Sequence, residues 1–132
     1  MSDTIPIPPK TGFDILIIDD DLFIRELLEL HLTQEGYHVR TAEDAVVGGK
    51  MLFEKRPDLL LLDIRMPHMG GDQLLSLLRG DEQFRDLKVI ALSSIQNTGL
   101  AIKITDLGVC DFLNKPVSRE ALVAAVRKAL GQ

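Results

Sequence analysis

Cysteine is almost missing from this sequence. Cys110 stands alone, so no intramolecular disulfide can form and a reducing compartment is the natural setting. The single thiol is expected as a small, buried, inert residue. Long apolar runs are missing too, since none approaches the ~20 residues that a membrane span requires. The opening MSDTIPIPPKTG lacks the charged and apolar regions of a signal peptide, and a soluble cytoplasmic protein is expected. Positive charge is scarce: 15 Lys and Arg face 20 Asp and Glu, for a formal net charge of -5. Nucleic acid and anionic membrane want clustered Lys and Arg, so neither is an expected partner. Histidine is sparse, and His31, His38 and His68 share no ligand spacing. They read as helix-surface, edge-strand and loop residues.

What is present describes one domain. The 132 residues are 45% hydrophobic and 27% charged, an ordinary globular balance. Residues 1–12 include Pro6, Pro8 and Pro9 and little that packs, so they are read as an extended or disordered leader, with the domain over 13–131. Five short apolar runs follow: DILIID (14–19), YHVRTA (37–42), DLLLLD (58–63), LKVIALS (87–93) and CDFLNK (110–115). The first, third and fourth are nearly continuous Ile, Leu and Val, as in parallel strands covered on both faces; YHVRTA alternates like an edge strand. Helix-length segments separate them. Right-handed β-α-β crossovers then imply an α/β fold, a parallel sheet with helices on both faces.

The helical signals are uneven. Segment 21–34 spaces Phe23, Leu27 and Leu30 as a stripe and stops before Gly36. Segment 118–130 opens on Ser118 as an N-cap and carries Leu122, Val126 and Ala129 on one face. Segment 98–107 places Leu100, Ile104 and Leu107 toward the core and Ile102 outward. Segment 43–54 contains Gly48 and Gly49, each unfavourable by about 1 kcal/mol relative to Ala, and is expected to be the least stable helix. Arg119, Arg127 and Lys128 read as a solvated face.

Functional groups in such sheets gather at the carboxyl ends of the strands. Here those ends carry Asp19, Asp20 and Asp21, then Asp63, then Ser93 and Ser94, then Lys115 before Pro116. Two carboxylates about 5 Å apart repel by roughly 3 kcal/mol at an effective dielectric of 20. Crowding Asp19, Asp20 and Asp63 therefore calls for cations. Hard oxygen donors at a water-exposed rim suit Mg²⁺, with Mn²⁺ as a substitute, and Lys115 adds a second positive charge. A carboxylate flanked by a metal, an ammonium and a hydroxyl suits phosphoryl transfer. Taken singly, each residue has a bland reading: Asp20 or Asp21 as a helix cap, Asp63 as a turn residue, Ser93 as a satisfied hydroxyl, Lys115 as a solvated charge.

With ILIIDDD, LLLLDIRMPHMGG, VIALSS and DFLNKPV, residues 13–131 resemble the receiver domain of two-component response regulators, the chemotaxis regulators among them. The resemblance implies a (βα)5 flavodoxin-like, doubly wound fold with strand order 2-1-3-4-5. It implies a phosphoacceptor at Asp63, with Mg²⁺ held by Asp20, Asp63 and the backbone carbonyl of Arg65 and Asp19 acting through water. Ser93 and Lys115 would bind phosphoryl oxygens, the Lys115-Pro116 bond would be cis, and Phe112 would be the switch aromatic, without the hydroxyl of the more common Tyr. Arg65 and Ile95 hold positions that tune the acyl phosphate's lifetime; Ser94 stands where Ala or Gly is frequent, and Gly70 where an acidic residue is. Asp21 matches no invariant role and is left as a helix start. The implied partners are a histidine kinase or histidine phosphotransfer protein and a downstream protein target. That target would be read on the face of helix 4, strand 5 and helix 5, with Ile102 and Phe112 as apolar parts.

On this reading the protein promotes its own phosphorylation and dephosphorylation and turns over no external substrate. Two other readings compete. A haloacid dehalogenase-type hydrolase would use Asp19 as nucleophile, but that fold usually needs a longer chain and a late acidic pair. A receiver-like scaffold would work without phosphorylation, against which stands the full set of acidic, hydroxyl and lysine positions. The sequence runs to Gln132, which fits either a diffusible receiver or a piece of a longer regulator.

Overall fold

The computed structural model describes residues 12–94 and 98–132. Five strands, β1 (Asp14–Ile18), β2 (His38–Ala42), β3 (Leu59–Asp63), β4 (Lys88–Ser93) and β5 (Asp111–Asn114), alternate with five helices, α1 (Leu22–Gln34), α2 (Ala45–Glu54), α3 (Gly71–Arg79), α4 (Thr98–Asp106) and α5 (Arg119–Ala129). All strand pairs are parallel, in the order β2-β1-β3-β4-β5. The flavodoxin-like order is therefore as expected, and the alternating YHVRTA run is indeed an edge.

The period of two along each strand builds two cores. Leu16, Ile18, Leu60, Leu62, Val89 and Ala91 face α2, α3 and α4. Ile15, Ile17, Leu59, Leu61, Ile90 and Leu92 face α1 and α5. Three helices begin on side-chain caps: Asp21 accepts from Ile24 N at 3.1 Å, Asp44 from Val47 N at 2.8 Å and Ser118 from Ala121 N at 3.1 Å. Gly48 has a packing reason. A Cβ there would lie 2.3 Å from Ile18 Cδ1, so the glycine lets α2 sit close on β1, whereas Gly49 faces open space.

Three expectations are corrected. The α1 stripe of Phe23, Leu27 and Leu30 does not face the core: Phe23 is 71% and Leu30 52% exposed, while Leu28 and Leu32 are buried and Ile24 packs beside them. This helix is apolar on two sides, and only its placement on the sheet chooses between them. Cys110 is exposed rather than buried, because it precedes β5 in a surface turn. Arg119 and Arg127 are not merely solvated; they close on Glu35 at 2.6 and 2.8 Å, joining the end of α1 to α5. The stripes of α5 and α4 stand: Leu122, Val126 and Ile104 are buried, and Leu100 and Leu107 pack against the first core. Residues 1–11 and Ile95 lie outside the described residues.

Candidate functional site

β1 and β3 lie side by side, so their carboxyl ends deliver Asp19, Asp20 and Asp63 to one place. One carboxylate oxygen from each lies within 4.8 Å of the others. Asp19 is fully buried and Asp63 is 3% exposed, while Asp20 opens to solvent. Asp19 is held from several sides: its N–H donates to Ala42 O at 3.1 Å, its Oδ1 accepts from Asp21 N at 2.9 Å, and Arg25 donates to its carbonyl at 2.7 Å. Asp63 Oδ1 accepts from Arg65 N at 3.2 Å.

Lys115 follows β5 and reaches across β4 to this group. Its Nζ is 2.7 Å from Asp19 Oδ2 and 3.4 Å from Asp63 Oδ2. The backbone places it there: Lys115 N donates to Ser93 O at 2.9 Å, and the Lys115-Pro116 bond is cis. Ser93 ends β4, one position beyond the register partner of Asp63, and is buried.

Electrostatics show what the crowding does. Burial pushes the Asp63 carboxyl up to about 7, the Asp19 charge adds to the shift, and Lys115 only partly opposes it. Burial would pull Lys115 down, but its contacts with Asp19 and Asp63 outweigh this and raise it above the usual lysine value. Lys115 therefore stays charged, and one ammonium does not balance three carboxylates. Clustered hard oxygens with excess negative charge fit a divalent Mg²⁺-type ion.

Gly71 was not singled out from the sequence. Its N–H donates to Ile64 O at 2.9 Å, and a Cβ would lie 2.2 Å from Asp63 O, so α3 starts against the backbone of Asp63 only because no side chain intervenes. The Gly70-Gly71 pair was the available signal. His68, in the same loop, has φ 70. Arg65 and Ser94 are exposed beside the site. Phe112 is half-buried against the first core, and Ile102 on α4 is 57% exposed.

Comparisons with known proteins agree with this geometry. The response regulator receiver domain family matches residues 15–127. Over 116 residues the chain is 36% identical to the DNA-binding dual master transcriptional regulator RpaA of Synechocystis, covering 88% of this chain and 48% of that protein. It is also 36% identical over 116 residues to the response regulator MprA of Mycobacterium tuberculosis, covering 88% and 50%. The chain thus spans about half the length of these relatives. Among solved structures, a putative response regulator from Chloroflexus aurantiacus superposes with a TM-score of 0.86 at 29% identity, covering 92% of this chain and all of that one. The receiver domain of NtrX from Brucella abortus does so with a TM-score of 0.83 at 31% identity, covering 90% and 99%.

Proposed function

The chain belongs to the response regulator receiver domain family, and from that premise we propose that Asp63 accepts a phosphoryl group from a histidine kinase or histidine phosphotransfer protein. A P–O bond to Asp63 forms as the P–N bond to the donor histidine breaks. The observation that carries this reading is the convergence of Asp19, Asp20 and Asp63 with Lys115 Nζ lying 3.4 Å from the Asp63 carboxylate. Lys115 would pair with a phosphoryl oxygen, and Ser93 would donate its hydroxyl to another. Asp20, Asp63 and the carbonyl of Arg65 would hold Mg²⁺, with Asp19 contributing through water. Bound there, the ion neutralises charge that develops on the phosphoryl oxygens. Arg65, Ser94 and Ile95 would set how long the acyl phosphate lasts.

Phosphorylation adds charge and acceptor oxygens that draw in Ser93 and Lys115. The surface of α4, β5 and α5 then changes its affinity for a protein target, with Phe112 and Ile102 in that surface.

Incubation with Mg²⁺ and acetyl phosphate, followed by intact mass measurement, tests the assignment. One labile phosphoryl adduct that Asp63→Asn abolishes is expected. Multiple-turnover phosphate release abolished by Asp19→Asn would instead support the hydrolase, and absence of any adduct would support the scaffold.

A further inference from the structure

α4 is joined to the segment that carries Asp63 by an ion pair outside the acidic site. Lys103 Nζ lies 3.1 Å from Asp72 Oδ2, across 31 residues of sequence. Asp72 stands in the first turn of α3 and Lys103 in the last turn of α4. Each charge suits its own helix end, an acid at the positive end and a base at the negative one. Their meeting depends on how the two helices are placed, and placement is what a conformational switch changes.

Asp72 is held in a fixed place. Gly71 N donates to Ile64 O at 2.9 Å, and Gly71 packs without a side chain against Asp63 O, so the first turn of α3 is tied to the phosphoacceptor. Gly70 makes the room. A Cβ there would lie 2.6 Å from Asp72 Oδ1, so any other residue at that position would push the carboxylate aside. The Asp72 side chain is 20% exposed and that of Lys103 54%, which leaves the pair partly shielded from solvent.

Lys103 belongs to a helix fixed at one end. Arg79 donates to Leu107 O at 2.7 Å and to Gly108 O at 3.2 Å, pinning the C-terminal end of α4. A helix pinned there moves by swinging about that end, and Lys103 is about one turn from Leu107. Switching displacements of packed helices are about 1–2 Å. An ion pair is lost beyond about 4 Å, so a swing of about 1 Å at Lys103 is enough to break this one.

Resting on the receiver reading of Asp63, we propose that the ion pair between Asp72 and Lys103 is a latch on the unphosphorylated arrangement, opened when phosphorylation rearranges the α4 surface. Because the contact is made in one state and not in the other, its free energy passes in full into the balance between them. A partly shielded pair of this kind shifts that balance about two- to fivefold.

Trifluoroberyllate, a tetrahedral mimic of a phosphoryl group on a carboxylate, tests the latch at saturating Mg²⁺. Its Kd is measured by titration calorimetry for the unsubstituted chain, Asp72→Asn, Lys103→Gln and the double variant. Expected is binding about two- to fivefold tighter in both single variants, with the double variant no tighter than either. The direction separates a latch from a field effect. Charge alone would make Asp72→Asn bind the anion more tightly and Lys103→Gln less tightly, so shifts of opposite sign overturn the proposal. Unchanged affinity in Lys103→Gln overturns it too, as do additive effects in the double variant. Failure of the unsubstituted chain to bind trifluoroberyllate, or binding that survives Asp63→Asn, overturns the receiver reading itself and the latch with it.

Discussion

Asp63 combines a position that destabilises its charge with the role that position permits. Burial and Asp19 raise its carboxyl from 3.8 to about 7. A carboxyl whose folded value exceeds its unfolded one binds protons more tightly in the native state, so between about pH 4 and pH 7 the native state holds more protons than the unfolded chain. Stability of the metal-free protein therefore falls as pH rises through that window. At about 1.4 kcal/mol per unit the fall is at most about 4 kcal/mol. Urea midpoints measured across this range should decline in the unsubstituted protein and nearly level off in Asp63→Asn; parallel curves would contradict the assignment. The site residues themselves were legible because each sits where an apolar run stops, and in a parallel sheet those stops share an edge. The raised carboxyl was not legible, since it depends on how closely Asp19 and Lys115 approach.

At the scale of elements, α2 shows why residue propensity alone misjudges a helix. Gly48 and Gly49 look equally unfavourable in sequence, yet a Cβ at Gly48 meets Ile18 at 2.3 Å and one at Gly49 meets nothing. Gly49→Ala should stabilise by about 0.5–1 kcal/mol, whereas Gly48→Ala should destabilise by about 1–2 kcal/mol as overpacking outweighs the propensity gain. Chemical denaturation of the two variants side by side decides it, and equal effects would refute the packing argument.

Arg79, at the end of α3, joins elements that sequence reading left separate. Its guanidinium donates to Leu107 O at 2.7 Å, Phe84 O at 3.0 Å, and Arg85 O and Gly108 O at 3.2 Å. Lysine has no planar fork to span these carbonyls. Arg79→Lys should lose about 2–3 kcal/mol, at about 1 kcal/mol per hydrogen bond, with amide exchange rising first in the turn after α4. Unchanged exchange there would remove this role.

For the whole molecule, the sheet separates two cores and leaves its acidic cluster at one edge. Ligation of the native state alone stabilises by about 2.7 kcal/mol when the ligand is a hundredfold above its Kd. Mg²⁺ should raise the thermal midpoint of the protein, and Asp20→Asn, at an exposed position, should fold normally and lose most of that rise. A rise preserved in Asp20→Asn would place the ion elsewhere.

By itself the sequence determined the five strands, their parallel pairing and the identity of the residues at their carboxyl ends. Those properties are written in local patterns: runs of Ile, Leu and Val, the stops that end them and the helix-length spacers between them. The tertiary structure alone decided which side of α1 is buried, that Cys110 is exposed, that Arg119 and Arg127 close on Glu35, and that Gly71 must lack a side chain. Each of these depends on which surfaces meet across long sequence separations. A helix apolar on two sides, a lone thiol or a pair of arginines carries no local mark of what it will face.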